Sequence, residues 1–240
     1  MKIATITLFC NEHFRIDDWV RYYEDYRDEI TLHVIVNNGN KKDNILLKHY
    51  FPNSLVLYSE TNNLTASYNV GLKKILEYEE IDAVMQITND IRFERGAITT
   101  MYKKLYEEES LAVIGPVILK KNSRIIESAG FKISGYWGSQ KALYKGCSLD
   151  ELNEEFINVS FVPGGVNMVK RNAYELIGFQ DENIHMYCDE MDLYIRFDKI
   201  GLKEGILKRA IAWHQHVNRP GSCNRPLLAT YLSCRNKIYR

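Results

Sequence analysis

The sequence has no net charge: 31 Lys and Arg balance 31 Asp and Glu over 240 residues. A chain without an overall basic field lacks the attraction on which non-specific nucleic-acid binding depends, so no nucleic-acid partner is expected. Nor is there an apolar stretch of about 18 residues, the length at which a membrane-spanning helix is read. The first residues, Met1 to Phe9, are too short for a secretory leader, end in no small-residue cleavage site, and read as a strand that starts at once. The five cysteines (Cys10, Cys147, Cys188, Cys223 and Cys234) are scattered and odd in number, with no Cys-x-x-Cys. That pattern indicates neither a zinc ribbon nor a dithiol redox motif and fits reduced thiols in the cytoplasm. No Gly-x-Gly-x-x-Gly follows the first strand and no Gly-x-x-x-x-Gly-Lys-Ser/Thr occurs, which argues against a dinucleotide dehydrogenase or a P-loop enzyme. Internal repeats and low-complexity tracts are also missing.

What is present is ordinary globular composition, 45% apolar and 26% charged residues. A chain this long buries roughly 70–75% of its unfolded surface and needs no covalent staple. Tyrosine is plentiful, with 16 residues, and its apolar body and polar tip suit half-open clefts.

Short apolar runs bounded by Asn, Asp or Gly predict strands at Ile3 to Phe9, Leu32 to Val36, Ser54 to Leu57 and Ala83 to Ile87. Between them, Ile16, Trp19, Val20 and Tyr23 fall at helical spacing, as do Val70, Ile75 and Leu76, and then Ile98, Met101 and Leu105. Strands alternating with helices predict an α/β fold with a mainly parallel central sheet flanked by helices. After about Leu111 the rhythm changes to a smaller mixed β region. Leu111 to Leu119 is apolar across Gly115-Pro116, and Ile125-Ile126 with Phe131 to Ile133 predicts a hairpin around Ala129-Gly130. Residues Gly135 to Glu155, which include Tyr136, Trp137 and Tyr144, read as an irregular loop or flap. Ile157 to Val162 and Val166 to Val169 read as strands, Asp189 to Lys199 as a helix, and Ile206 to Trp213 as a last strand.

Open α/β sheets bind ligands at the carboxyl ends of their strands. Here those ends are polar and rich in Asn: Asn11-Glu12, Asn37-Asn38-Gly39-Asn40, Thr61-Asn62-Asn63 and Asn89-Asp90. Turn chemistry explains any one of them; four on one edge favour a polar ligand. Asp90 stands where a divalent cation, Mg²⁺ or Mn²⁺, would be needed to meet phosphates. Asp189, Glu190 and Asp192 place three acids within four positions, where they serve either as helix cap and dipole partner or as a general base. Arg196, four residues after Asp192, is placed to pair with it. His214 and His216 follow the last strand on one face and read either as surface residues or as part of a carboxylate–imidazole site.

In this order the pieces resemble glycosyltransferases of the GT-A (Rossmann-like) fold, family 2 type, with a layout most similar to bacterial rhamnosyltransferases. The matching string is Phe9-Cys10-Asn11, Asn37-Asn38-Gly39-Asn40, Asn63 to Gly71, Thr88-Asn89-Asp90, Pro163-Gly164-Gly165, Gly178-Phe179-Gln180-Asp181-Glu182, Asp189-Glu190-Met191-Asp192-Leu193 and His214. The resemblance covers about Ile3 to His216. It implies one catalytic domain over 1–240, with a nucleotide-binding half (1–115), an acceptor and catalytic half (116–220) and a tail (221–240). It implies inverting transfer of a sugar from a nucleotide-diphosphate-sugar donor to a glycan, lipid-linked or protein acceptor. The donor would meet Leu8, Asn11, Asn37, Ser67, Tyr68, Asn69, Asn89, Asp90, Gly164 and Gly165. Asp90 and His214 would hold the cation, and Glu190, flanked by Asp189 and Asp192, would be the base.

The sequence departs from the family pattern in places. Asn89 leaves a single acid in the metal motif, Asn37 replaces an acid that often reads the base, Thr65 replaces a loop glycine, and the acid pair runs Asp-Glu, so either Asp189 or Glu190 could be the base. Two rivals stand beside the transferase: a nucleotidyltransferase, disfavoured because Asn11-Glu12-His13 replaces a glycine-rich basic loop, and a non-catalytic sugar- or nucleotide-binding relative. The stretch Tyr231 to Arg240, with three positive charges and two Tyr, fits the start of a helix, a peripheral contact with the inner membrane face, or a homodimer contact.

Overall fold

A computed structural model describes residues 1–134, 139–215 and 225–239. In chain order the elements are β1 (Ile3–Phe9), α1 (Ile16–Tyr26), β2 (Leu32–Asn37), α2 (Asp43–Tyr50), β3 (Leu55–Tyr58), α3 (Leu64–Ile75), β4 (Ala83–Ile87), β5 (Ile91–Phe93), α4 (Ala97–Glu107), β6 (Leu111–Lys120), β7 (Ile126–Ser128), β8 (Phe131–Ser134), β9 (Ser139–Ala142), β10 (Phe156–Asn158), β11 (Val166–Lys170), α5 (Arg171–Ile177), α6 (Asp189–Lys199), β12 (Lys203–His214) and α7 (Arg225–Tyr239).

The main sheet runs β10-β12-β6-β11-β4-β1-β2-β3. β3, β2, β1 and β4 are parallel neighbours, β11 enters antiparallel to both β4 and β6, and β6 and β12 are parallel to each other. The sheet is thus mostly parallel, with its mixed part in the second half, as the sequence predicts. Alternation along the strands sends Val84 to one apolar cluster and Ala83, Met85 and Ile87 to another on the opposite face. Helix α3 packs close on the first of these faces. A Cβ on Gly71 would lie 2.9 Å from Ile6 and 3.0 Å from Val36, so only glycine admits this approach.

Local chemistry sets several boundaries. Asn63 caps α3, its side chain accepting from the Ala66 N–H at 3.2 Å. The first N–H groups of α4 find a carboxylate far away in sequence: Glu29 accepts from Gly96 at 2.8 Å and from Thr99 at 2.7 Å. β6 passes unbroken through Gly115-Pro116, and the β6–β12 ladder shifts register just past the Leu207–Pro116 pair. Proline has no N–H to give to a ladder, and an irregular register accommodates that lack.

Two expectations are corrected. Ile126 and Phe131 do not belong to one hairpin: β7 pairs with β6, and β8 pairs with β9 instead. Gly130, at φ 83°, lets the chain leave one pairing for the other. The 135–155 stretch is in part regular, holding β9 and a capped 3₁₀ turn at Leu149–Glu151, while Tyr136 and Trp137 lie outside the described residues.

Candidate active site

Because β1 hydrogen-bonds to both β2 and β4, the carboxyl ends of these three strands share one edge. Asn11, in the left-handed region at φ 57°, accepts from the Asn40 N–H at 2.9 Å and locks the first two ends together. Asn37 is fully buried. Its amide donates to the Asn40 carbonyl (2.8 Å) and to Asn44 (2.6 Å), and its oxygen accepts from the Gly39 N–H (3.0 Å). Ser67 donates to the Asn63 carbonyl at 2.7 Å, and Asn69 binds the Gln180 backbone. Asn37, Ser67 and Asn69 therefore lie by the site but spend these groups on holding turns and segments in place. Leu8 is half-buried behind them.

The end of β4 carries the strongest electrostatics. Antiparallel pairing of β5 with β12 sets His214 opposite Ile91, next to Asp90, and the Gln215 N–H donates to the Asp90 carbonyl at 2.8 Å. Asp90 Oδ2 lies 2.7 Å from the Arg15 guanidinium and 3.3 Å from His214 Nε2. The other ring nitrogen of His214, Nδ1, is 2.8 Å from Glu127. Asn89, beside Asp90, donates to Glu12. Burial alone would push the Asp90 pKa up; the hydrogen bond and charge of His214, the Thr88 hydroxyl and the Arg15 charge outweigh it and hold the carboxyl well below its ordinary range. Burial likewise would push His214 down, but Asp90 and Glu127 raise it to about 9. His216 lies outside the described residues.

The acidic segment reaches the same place from α6. Asp189 and Glu190 open that helix, and Glu190 lies against the backbone of Gly164: a Cβ on Gly164 would meet its carboxyl carbon at 3.2 Å. The neighbouring Gly165 faces Thr88, whose N–H donates to the Gly165 carbonyl at 2.9 Å. The Gly-Gly strand start is thus the thin wall between the β4 end and the α6 acids. Tyr68, buried, is pushed well up by its burial and then by the charges of Asp189, Glu190 and Asp90. Asp189 is 8% exposed. Burial raises its carboxyl well above the usual range, and the charge of Glu190 and a hydrogen bond to it add to the rise. Asp192 has another duty. It pairs with Arg196 at 3.2 Å, and Arg196 also donates to the carbonyls of Ile177 and Phe179, both at 3.0 Å.

Arg15 and Glu127 are the residues that motif spacing does not reveal. Arg15 sits in a 3₁₀ turn ahead of α1, and Glu127 arrives only because β7 folds back on β6. A half-open cleft of about 480 Å³ is separate: it lies on the Trp213 side of β12 and is lined by Arg124, Asp150 and Lys208 among others. It contains none of the acids described above.

A divalent cation can be tested against these residues. Among the described residues no cluster of three or more His, Cys, Asp or Glu side chains could hold a metal unaided. Asp90 and His214 nonetheless aim an oxygen and a nitrogen at each other, and Glu127 holds the far side of the ring, an arrangement that orients metal-binding histidines. Two protein ligands with phosphate oxygens and water are a normal shell for such ions, so the pair fits a cation that arrives with a diphosphate.

No protein-family model matches the sequence, and no curated protein does. Solved structures do match in fold. GalNAc-T7 with UDP, GalNAc and Mn²⁺ aligns with a TM-score of 0.69 and 12% identity, over 89% of this chain and 44% of that one. The mannosyltransferase PcManGT from Pyrobaculum calidifontis, in complex with GDP-Man and Mn²⁺, aligns with a TM-score of 0.66 and 12% identity, over 100% of this chain and 64% of that one. The chain therefore has a GT-A-type fold and spans less than two thirds of either protein's length. No helix among the described residues is long and apolar enough to cross a membrane.

Proposed function

We propose that this chain is an inverting glycosyltransferase similar to family 2 enzymes, moving a sugar from a nucleotide-diphosphate-sugar donor to an acceptor hydroxyl in bacterial surface-glycan assembly or protein glycosylation. The observation that carries this reading is the placement of Glu190 against Gly164, one residue from the Gly165–Thr88 contact that leads to Asp90. A carboxylate and the strand end that would meet a diphosphate thus face one another across two glycines. The shared fold with two glycosyltransferases solved with UDP or GDP-Man and Mn²⁺ supports it.

In this mechanism Glu190 takes the proton of the acceptor hydroxyl. The acceptor oxygen forms its bond to the anomeric carbon from the side opposite the diphosphate, the carbon–oxygen bond to the diphosphate breaks, and its electron pair leaves with the nucleoside diphosphate, so the anomeric centre inverts. Asp189, whose carboxyl burial pushes toward its protonated form, hydrogen-bonds to Glu190 beside it. His214, and after it Arg15, favour the ionised form of Asp90. A divalent cation, Mn²⁺ or Mg²⁺, held by Asp90 and His214 would offset the charge that builds on the departing diphosphate.

Incubation with a panel of UDP-, GDP- and dTDP-sugars and Mn²⁺ tests this reading, with nucleotide release and donor binding as readouts. Release of one nucleotide with transfer to an acceptor is the expected result. Binding without release or transfer would favour a binding-only relative, and neither binding nor release would overturn the reading.

A further inference from the structure

Three residues just ahead of the Asp189–Glu190 pair stand in the left-handed region without being glycine: His185 (φ 62°), Tyr187 (φ 64°) and Cys188 (φ 61°). Such a run persists only where its surroundings enforce it. Helix α7 does so from above. Asn236, 0% exposed, shares its amide hydrogens among the carbonyls of Ile184 (3.0 Å), Met186 (2.9 Å) and Tyr187 (2.7 Å). The oxygen of the same amide accepts from Arg235 Nε at 2.8 Å, and this assigns which end of the amide faces the carbonyls. Arg235 also donates to the carbonyls of Asn183 and Ile184, both at 2.9 Å. From below, the Leu64 N–H donates to the His185 carbonyl at 3.0 Å. The segment is gripped from both sides, and the next residues in the chain are the two acids.

We propose that Asn236 is a positioning residue: it holds 184–188 in the one conformation that aims the first turn of α6, and with it Glu190, at Gly164. This rests on the reading of Glu190 as the base. The hydrogen bonds of Asn236 among the described residues go to backbone carbonyls of 184–187 and to Arg235, so its effect passes through the segment. Its loss should lower turnover while leaving nucleotide binding at the β1, β2 and β4 ends intact.

The test uses the full chain with Asn236→Ala and the same-sized Asn236→Asp, which keeps the volume but turns an oxygen toward three carbonyl oxygens. Amide exchange by mass spectrometry should rise about tenfold or more over residues 184–190, with β1, β2 and β4 unchanged. Binding of UDP and GDP in Mn²⁺ should stay near wild type, and kcat should fall about 100-fold with little change in donor KM, the signature of a misplaced catalytic group. A role in packing alone would spare Asn236→Asp relative to Asn236→Ala. Unchanged exchange in 184–190, exchange that rises equally throughout the sheet, or an unchanged kcat overturns the proposal. If wild type neither binds nor turns over any donor, it is the glycosyltransferase reading that fails, and the exchange result still decides whether Asn236 holds the segment. Should Asn236→Ala not fold, Arg235→Lys, which removes the fork to Asn183 and Ile184, is read by the same exchange measurement.

Discussion

Asn69 and Gln180, 111 residues apart, are joined by a reciprocal pair of hydrogen bonds: the Asn69 amide donates to the Gln180 carbonyl at 2.9 Å and its oxygen accepts from the Gln180 N–H at 3.0 Å. The same amide donates to Glu182 at 2.9 Å. This pairing fastens the segment before α6 to α3. Asn69→Ala leaves a buried N–H and C=O without partners and should cost about 2 kcal/mol of stability, read as a lowered urea midpoint at unchanged slope.

The two acids at the start of α6 should respond differently to amide substitution. Glu190→Gln removes the group that accepts the proton and should lower transfer by about 10²–10⁴-fold while nucleotide binding measured by calorimetry persists. Asp189→Asn replaces a carboxyl whose protonated form burial favours, so its effect should stay within about tenfold. Equal losses from both variants would move the role of base to the pair as a unit.

Gly164→Ala puts a methyl group 3.2–3.4 Å from three atoms of Glu190. The side chain must give way by a few tenths of an ångström, and a base displaced by that much loses alignment before the protein loses its fold. Turnover should drop by about tenfold or more with a melting temperature near wild type. Unaltered turnover would show that Glu190 does not work from this position.

Nucleotide binding should depend on added cation through Asp90. Titrating UDP or GDP in Mn²⁺ and then with a chelator should show affinity falling by about tenfold or more on removal of the ion. Asp90→Ala should bind weakly in both conditions. Identical wild-type affinities with and without chelator would refute cation binding at this strand end.

His33 supplies a pH signature for stability. It is 2% exposed among Trp19, Tyr23 and Phe51, with Nδ1 2.8 Å from the Ser54 hydroxyl. Burial lowers its pKa from 6.5 to about 3. Below pH 6.5 the unfolded chain therefore takes up a proton that the folded chain refuses. The stability this group contributes is complete above pH 6.5 and is lost as pH falls toward 3, at up to about 1.4 kcal/mol per pH unit. His33→Asn should flatten that part of the stability profile measured by urea unfolding across pH 4–7.

Strong periodicity made much of the fold legible. The bounds of β4 and α6 match the sequence reading, because their apolar spacing is regular and their ends carry Asn or acids. Helix α2 escaped it because it buries only Leu47, and α5 because it spans seven residues. The misassigned hairpin at Ile126 and Phe131 shows that a short apolar strand advertises its type but not its partner. The sequence singled out Asp90, His214, Asp189 and Glu190 as candidates because they follow strand ends or cluster at the start of one helix. Arg15 and Glu127 were not singled out, since only the folded pairing brings them near His214 and Asp90. Asn37, read as a donor contact, binds its own turn through its side chain, a common use of that residue type.

The position of β12 bears on how the protein is made. The last strand among the described residues is not at the rim but between β10 and β6, and its final residue sits beside Asp90. A ribosome that has not yet released residue 214 carries a sheet whose β6 flank is an unsatisfied ladder, open to any other strand in reach. Joining β12 to β6 closes a loop of more than eighty residues, the kind of distant pairing that slows folding. The Asp90–His214 pair forms in the step that closes this flank, so the candidate site and the completed sheet appear together.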